Sequence, residues 1–86
     1  MRVDSTKTFE KHFKKAPGYV KKKIAALYVE MEKAKAWEDV PAIKEMSKPN
    51  FYRIRIVDYR LGITIKGNVI ELRILLHRKE VYRFFP

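Results

Sequence analysis

FYRIRIVDYR, residues 51–60, alternates apolar and basic side chains: Tyr52, Ile54 and Ile56 fall on one parity, Arg53 and Arg55 on the other. This is the period of a strand with one buried face. After a break at Asp58 the alternation resumes, with Leu61, Ile63 and Ile65 set against Arg60, Gly62 and Thr64. Gly67-Asn68 reads as a two-residue hairpin turn of the kind that needs positive φ, and it leads into a third run, residues 69–76.

The turns fix an expected register. With Lys66 and Val69 flanking the second turn, Ile65 faces Ile70, Ile63 faces Leu72 and Leu61 faces Ile74. The other face then carries Arg60, Gly62, Thr64, Glu71, Arg73 and Leu75, with Gly62 leaving room beside Arg73. With Ile56 and Tyr59 flanking the first turn, Arg55 lies across from Arg60. Like charges directly opposite in a sheet cost roughly 0.2–1 kcal/mol, so a face bearing Arg53, Arg55, Arg60 and Arg73 is not explained by stability. It reads as a surface for an anion.

Composition agrees. The 86 residues suffice for one core and not two, so a single domain spanning 1–86 is expected. Apolar residues make up 47% of the chain, which argues against disorder, and a formal charge of +10 favours a polyanionic partner such as nucleic acid. The absence of cysteine excludes disulfides and thiolate chemistry. Two histidines without clustered carboxylates give no reason to expect a metal, and no cofactor is expected. No long apolar run opens the chain, so neither a signal peptide nor a membrane segment is expected and the protein is placed in the cytoplasm.

Upstream of the sheet, residues 1–4 read as an edge or pairing strand with Val3 inward. Ser5 or Thr6 can cap a helix over Lys7–Lys15, whose Phe9, Phe13 and Ala16 share one side, with His12 beside them as a surface histidine. Pro17 ends that helix and suits the first turn of another, in which Val20, Ile24, Leu27 and Met31 form a narrow apolar stripe with Lys21, Lys22 and Lys23 mostly off it. Residues 34–50 read as a connection, anchored by Trp37 and Ile43, punctuated by Pro41 and Pro49, and ending in a loop at 47–50. The fold class is therefore α+β: an antiparallel sheet with an N-terminal helical hairpin packed on one face. At the carboxy terminus His77 continues the parity of Arg73 and Leu75, so it is expected at the end of the basic face, beside Arg78 and Tyr82.

An imidazole, several guanidiniums and a phenol on one surface suit phosphodiester cleavage without a metal. RNA carries its own nucleophile, the 2′-hydroxyl. An enzyme must take its proton, neutralise charge on the phosphorane and protonate the leaving 5′-oxygen. Arginine forks bind phosphate oxygens, tyrosine stacks on bases, and histidine titrates near neutrality.

FKKAPGYVKKKI at 13–24, AIKEM at 42–46, FYRIRIVDYRLGI at 51–63 and HRKEVYR at 77–83 together resemble the RelE/ParE superfamily of toxins from toxin–antitoxin systems, and the RelE branch of messenger-RNA interferases more than the ParE branch that inhibits DNA gyrase. The resemblance implies a compact α/β fold and cleavage of messenger RNA in the ribosomal A site, leaving a 2′,3′-cyclic phosphate and a 5′-hydroxyl. It also implies a small antitoxin as partner, alongside the ribosome and messenger RNA. By the same resemblance Arg53 and Arg55 occupy strand positions where relatives carry lysines, and Arg60 matches a phosphate-binding arginine. Arg78 matches the arginine that steadies the transition state or leaving group, and Tyr82 the tyrosine that stacks on the substrate base. Arg73 and Lys79 join the expected RNA-binding set. A guanidinium stays protonated and is a poor general base, so at the Arg55 position the chain departs from its relatives. His77 is then the expected proton-transfer residue, Glu80 a weaker one, and Leu76 stands where a glycine is common. Two other classes remain open on sequence: a ParE-like gyrase poison, and an inactive basic module that only grips nucleic acid.

Overall fold

Thr6 has the extended backbone of a helix N-cap, and its Oγ1 accepts the Phe9 amide at 3.1 Å. It separates strand β1 (Arg2–Ser5) from helix α1 (Lys7–Lys15), and Pro17 then caps helix α2 (Gly18–Lys33) from one residue outside its first turn. The structure, a computed structural model, describes residues 1–45 and 50–84 and side chains as far as Val81. Of the loop expected at 47–50, only Asn50 falls within the described residues.

Beyond the helices come a 3-10 turn (Trp37–Asp39) and strands β2 (Ile43–Glu45), β3 (Phe51–Ile56), β4 (Tyr59–Lys66) and β5 (Val69–His77), then helix α3 (Arg78–Phe84). Among the described residues the five strands form one sheet in the order β1-β5-β4-β3-β2. Neighbours are antiparallel except β1, which runs parallel to β5 at one edge. The fold is α+β with the helical hairpin on one face, as expected. The stretch read as a plain connection contains a strand: β2 pairs with β3, placing Ile43 beside Ile54 and Lys44 beside Arg53. Its three residues are too few to display a period. Trp37 does anchor the segment, its ring 4.9 Å from that of Tyr52.

The core lies between helices and sheet. Val20, Ile24, Leu27 and Met31 of α2 and Phe9 of α1 meet Ile54, Ile56, Leu61, Ile63, Ile65, Ile70 and Leu72 from the strands. Gly67 takes the positive φ (56°) that the β4–β5 turn requires.

The expected register holds from Lys66↔Val69 to Ile63↔Leu72 and then slips by one. Arg73 is an extra residue, a β-bulge, after which Ile74 faces Gly62, Leu75 faces Leu61, Leu76 faces Arg60 and His77 faces Tyr59. Leu75 is therefore a core residue, 2% exposed, and not part of the arginine face. The same slip turns His77 to the helix side of the sheet, so the expectation that it ends the basic face is corrected. Ile74-Leu75-Leu76 explains the misreading: three consecutive apolar residues satisfy either parity, and burial of the middle one decides.

β1 ends opposite Leu72, leaving the outer edge of β5 uncovered beyond that point. Helix α1 takes over the pairing. Thr6 donates its amide to the Leu72 carbonyl (3.0 Å) and its hydroxyl to that of Arg73 (3.0 Å), while His12 Nδ1 accepts the Leu75 amide at 3.1 Å. His12 is thus not a plain surface histidine: it is half-buried and satisfies a sheet-edge amide.

Candidate nucleic-acid interface

The sheet face opposite the helices is built from the second parity of each strand. Lys44 of β2, Arg53 and Arg55 of β3 and Arg60 of β4 all belong to it, with Lys44 across from Arg53 and Arg55 across from Arg60. Two like-charged cross-strand pairs are costly for a sheet, and they concentrate positive potential on one surface. Lys44 was missed in the sequence because the short strand that carries it was missed.

Arg55 is exposed, whereas Arg60 is 8% exposed. Arg60 donates Nη1 to two carbonyls of the β3–β4 turn, Val57 O at 3.0 Å and Tyr59 O at 2.8 Å, so its guanidinium is fixed by the backbone that it follows. That turn is strained. Val57, a β-branched residue, holds φ at 57° and is 55% exposed, an arrangement that persists only when neighbours enforce it.

The strand register brings the carboxy-terminal residues to the same turn. His77 pairs with Tyr59, and the Arg78 amide donates to the Asp58 carbonyl at 2.8 Å. Arg55, Arg60 and Arg78 therefore gather at one end of the sheet, with Lys79 exposed beside Arg78 on α3. His77 accepts the Lys79 amide through Nδ1 (3.2 Å) and places Nε2 3.5 Å from Asp58 Oδ2. The Tyr19 hydroxyl donates to Asp58 Oδ1 at 2.8 Å. That bond holds the Asp58 carboxyl below its ordinary range, aided by the charges of His77 and Arg78, and raises the Tyr19 phenol in turn.

Arg73 sits apart from this cluster. It forms an ion pair with Glu71 and lines a groove with Asn50, Phe51, Thr64, Lys66 and Val69. Glu80 is exposed and borders a second cleft, of about 460 Å³, shared with His12, Lys15, Tyr59 and His77 on the helix side. Leu76 is half-buried and pairs with Arg60, so it occupies the arginine face where a glycine would leave space. The backbone of Tyr82 belongs to α3, and its side chain lies outside the described residues. Tyr19 and Asp58 are the other residues that sequence reading passed over, because a tyrosine 39 positions upstream of its partner leaves no local signal.

His12 supplies a pH test of the sheet edge. Burial first, and Lys15 second, lower its pKa from 6.5, Glu80 opposing. The accepting Nδ1 is lost on protonation, and unfolded chain takes up that proton more readily than folded chain. The His12 contribution is thus complete above pH 6.5 and lost as pH falls through the lower folded value. Urea unfolding between pH 5 and 7.5 is expected to show this slope in the parent and a shallower one in His12→Gln.

No protein-family model matches the chain. It is 39% identical to Toxin RelE3 of Methanocaldococcus jannaschii over 88 aligned positions, covering 100% of both chains. Its structure resembles a chain of the RelB-RelE antitoxin-toxin complex from Methanococcus jannaschii, with a TM-score of 0.83, 37% identity, and coverage of 98% of this chain and 100% of that one. The intact Escherichia coli RelBE toxin-antitoxin complex contains the same fold at 20% identity, with a TM-score of 0.69 over 88% of this chain and 94% of that one.

Proposed function

The chain belongs to the RelE family of toxins, and from that premise we propose that it is a ribosome-dependent endoribonuclease that cuts messenger RNA in the A site. The observation that carries the reading is the convergence of Arg55, Arg60 and Arg78 on the Val57–Asp58 turn. In the reaction, the RNA 2′-oxygen bonds to phosphorus as the bond to the 5′-oxygen breaks. The 2′-hydroxyl proton leaves to solvent and the 5′-oxygen takes one up, giving a 2′,3′-cyclic phosphate and a 5′-hydroxyl.

Arg53 and Arg55 bind and neutralise phosphate with Lys44, Arg60 presents a fixed guanidinium to the phosphorane, and Arg78 stabilises charge developing on the leaving oxygen. Arg73 and Lys79 guide the flanking backbone, and Tyr82 stacks on a base. Arg55 cannot serve as a base, so the rate comes chiefly from electrostatic stabilisation. His77, engaged by Asp58 and the Lys79 amide on the helix side, belongs to the support of Arg78 in this scheme. The partner that restrains the protein is a cognate antitoxin, in keeping with the RelB chain of the archaeal complex.

Primer extension on messenger RNA from translating ribosomes tests the reading. New ends at A-site codons are expected from the parent, reduced on the order of 10²-fold in Arg78→Ala. Growth arrest that survives Arg78→Ala without new RNA ends would overturn it in favour of gyrase poisoning.

A further inference from the structure

Asp58 makes more contacts than a turn requires. The positive φ of the turn is carried by Val57, so Asp58 is not demanded there by backbone conformation. Tyr19 is 47% exposed, so its hydroxyl has water available and does not need a carboxylate for burial. The two nevertheless meet at 2.8 Å, across 39 residues of sequence. The other carboxylate oxygen lies 3.5 Å from His77 Nε2, and His77 in turn accepts the Lys79 amide and meets the Tyr59 ring edge-on at 5.6 Å. The Asp58 carbonyl receives the Arg78 amide. Four elements are tied through one residue: its side chain meets the first turn of α2 and the end of β5, and its backbone carbonyl joins the β3–β4 turn to the start of α3.

We propose that Asp58 is a positioning residue, and that the Tyr19–Asp58–His77 contacts form a latch that holds the first turn of α3, and with it Arg78, at the turn where Arg60 is anchored. The catalytic part rests on the ribonuclease reading. Helix α2 gives the latch a rigid base, since Val20 and Ile24, one and five residues beyond Tyr19, are buried in the core. From there the restraint passes outward to a helix start whose first three side chains, Arg78, Lys79 and Glu80, are exposed, while the fourth, Val81, is buried. A charge-stabilising group must be held within about 0.5 Å of its productive place, and an exposed arginine at a helix start does not achieve this alone.

Asp58→Ala, Asp58→Asn and Tyr19→Phe test the latch through amide hydrogen exchange and cleavage kinetics on ribosomes. The alanine variant keeps the backbone carbonyl that accepts the Arg78 amide, so exchange at Arg78 and Lys79 reports the side-chain latch specifically. It is expected to accelerate that exchange at least tenfold, to lower kcat about 10–30-fold and to leave KM within threefold. Asp58→Asn still accepts from Tyr19 and recovers most of both effects, while Tyr19→Phe falls between. Parent-like exchange in Asp58→Ala and Tyr19→Phe overturns the proposal, as does faster exchange with an unchanged kcat. If the parent cuts no RNA, the ribonuclease reading fails, and the exchange rates alone then decide whether the latch exists.

Discussion

Arg60→Ala is expected to slow messenger-RNA cleavage about 10²–10³-fold, the loss typical of removing one preorganised donor from a developing anion. The size of the effect follows from how this guanidinium is held. Its Nη1 is tied to the Val57 and Tyr59 carbonyls, and the group is nearly buried, so it is ordered before substrate arrives and contributes without a reorganisation cost. Arg60→Lys is expected to recover less than tenfold, because an ammonium does not reproduce the planar fork that reaches carbonyls and phosphate together. Stability moves in two directions at once. Relief from Arg55 returns about 0.2–1 kcal/mol, while two charge-assisted hydrogen bonds to the turn are lost at about 1.5–3 kcal/mol each. A net loss is expected, and a urea melt beside the kinetics separates it from the catalytic effect. Full activity in Arg60→Ala would remove Arg60 from the site.

Leu75→Ala is expected to destabilise the protein by about 3–4 kcal/mol, within the usual range for a buried leucine truncated to alanine. Total stability for a chain of this size is on the order of 5–15 kcal/mol, and at about 4–8 °C per kcal/mol the melting temperature should fall by about 12–32 °C. Leu75 packs beside Leu61 in the core only because Arg73 is an extra residue in β5. In a sheet without the bulge, Leu75 would lie on the arginine face and its truncation would cost little. Ile74→Ala is the internal control, since Ile74 is half-buried and on the open face by the observed register. The order Leu75 well above Ile74 in thermal melts supports the bulge, and the reverse order contradicts it.

That bulge also marks the boundary of what the sequence discloses. Strict alternation in β3 and the first part of β4 placed Tyr52, Ile54, Ile56, Leu61, Ile63 and Ile65 inside and predicted Arg55 opposite Arg60, and the sheet agrees residue for residue. The stripe Val20, Ile24, Leu27 and Met31 was equally plain, since a helix that buries one face must repeat it. Legibility fails where alternation does. Ile74-Leu75-Leu76 offers two parities of equal hydrophobicity, and β2 is too short to show any. The turn network of Tyr19, Asp58, His77 and Arg78 was invisible for a different reason: its partners are distant in sequence and meet because β5 returns beside β4 and α2 brings Tyr19 to the β3–β4 turn. The arginines themselves could be found from the sequence, but not the joint that gathers them.

If the proposed activity holds, the arginine cluster cleaves RNA only on the ribosome. The direct measurement is to incubate one labelled messenger RNA with the purified protein, free and on stalled ribosomes carrying an empty A site, and to analyse the new ends chemically. Cuts are expected at the A-site codon on ribosomes alone, with a 2′,3′-cyclic phosphate on one fragment and a 5′-hydroxyl on the other. Absence of cuts in both settings, or fragments carrying a 5′-phosphate, would contradict it.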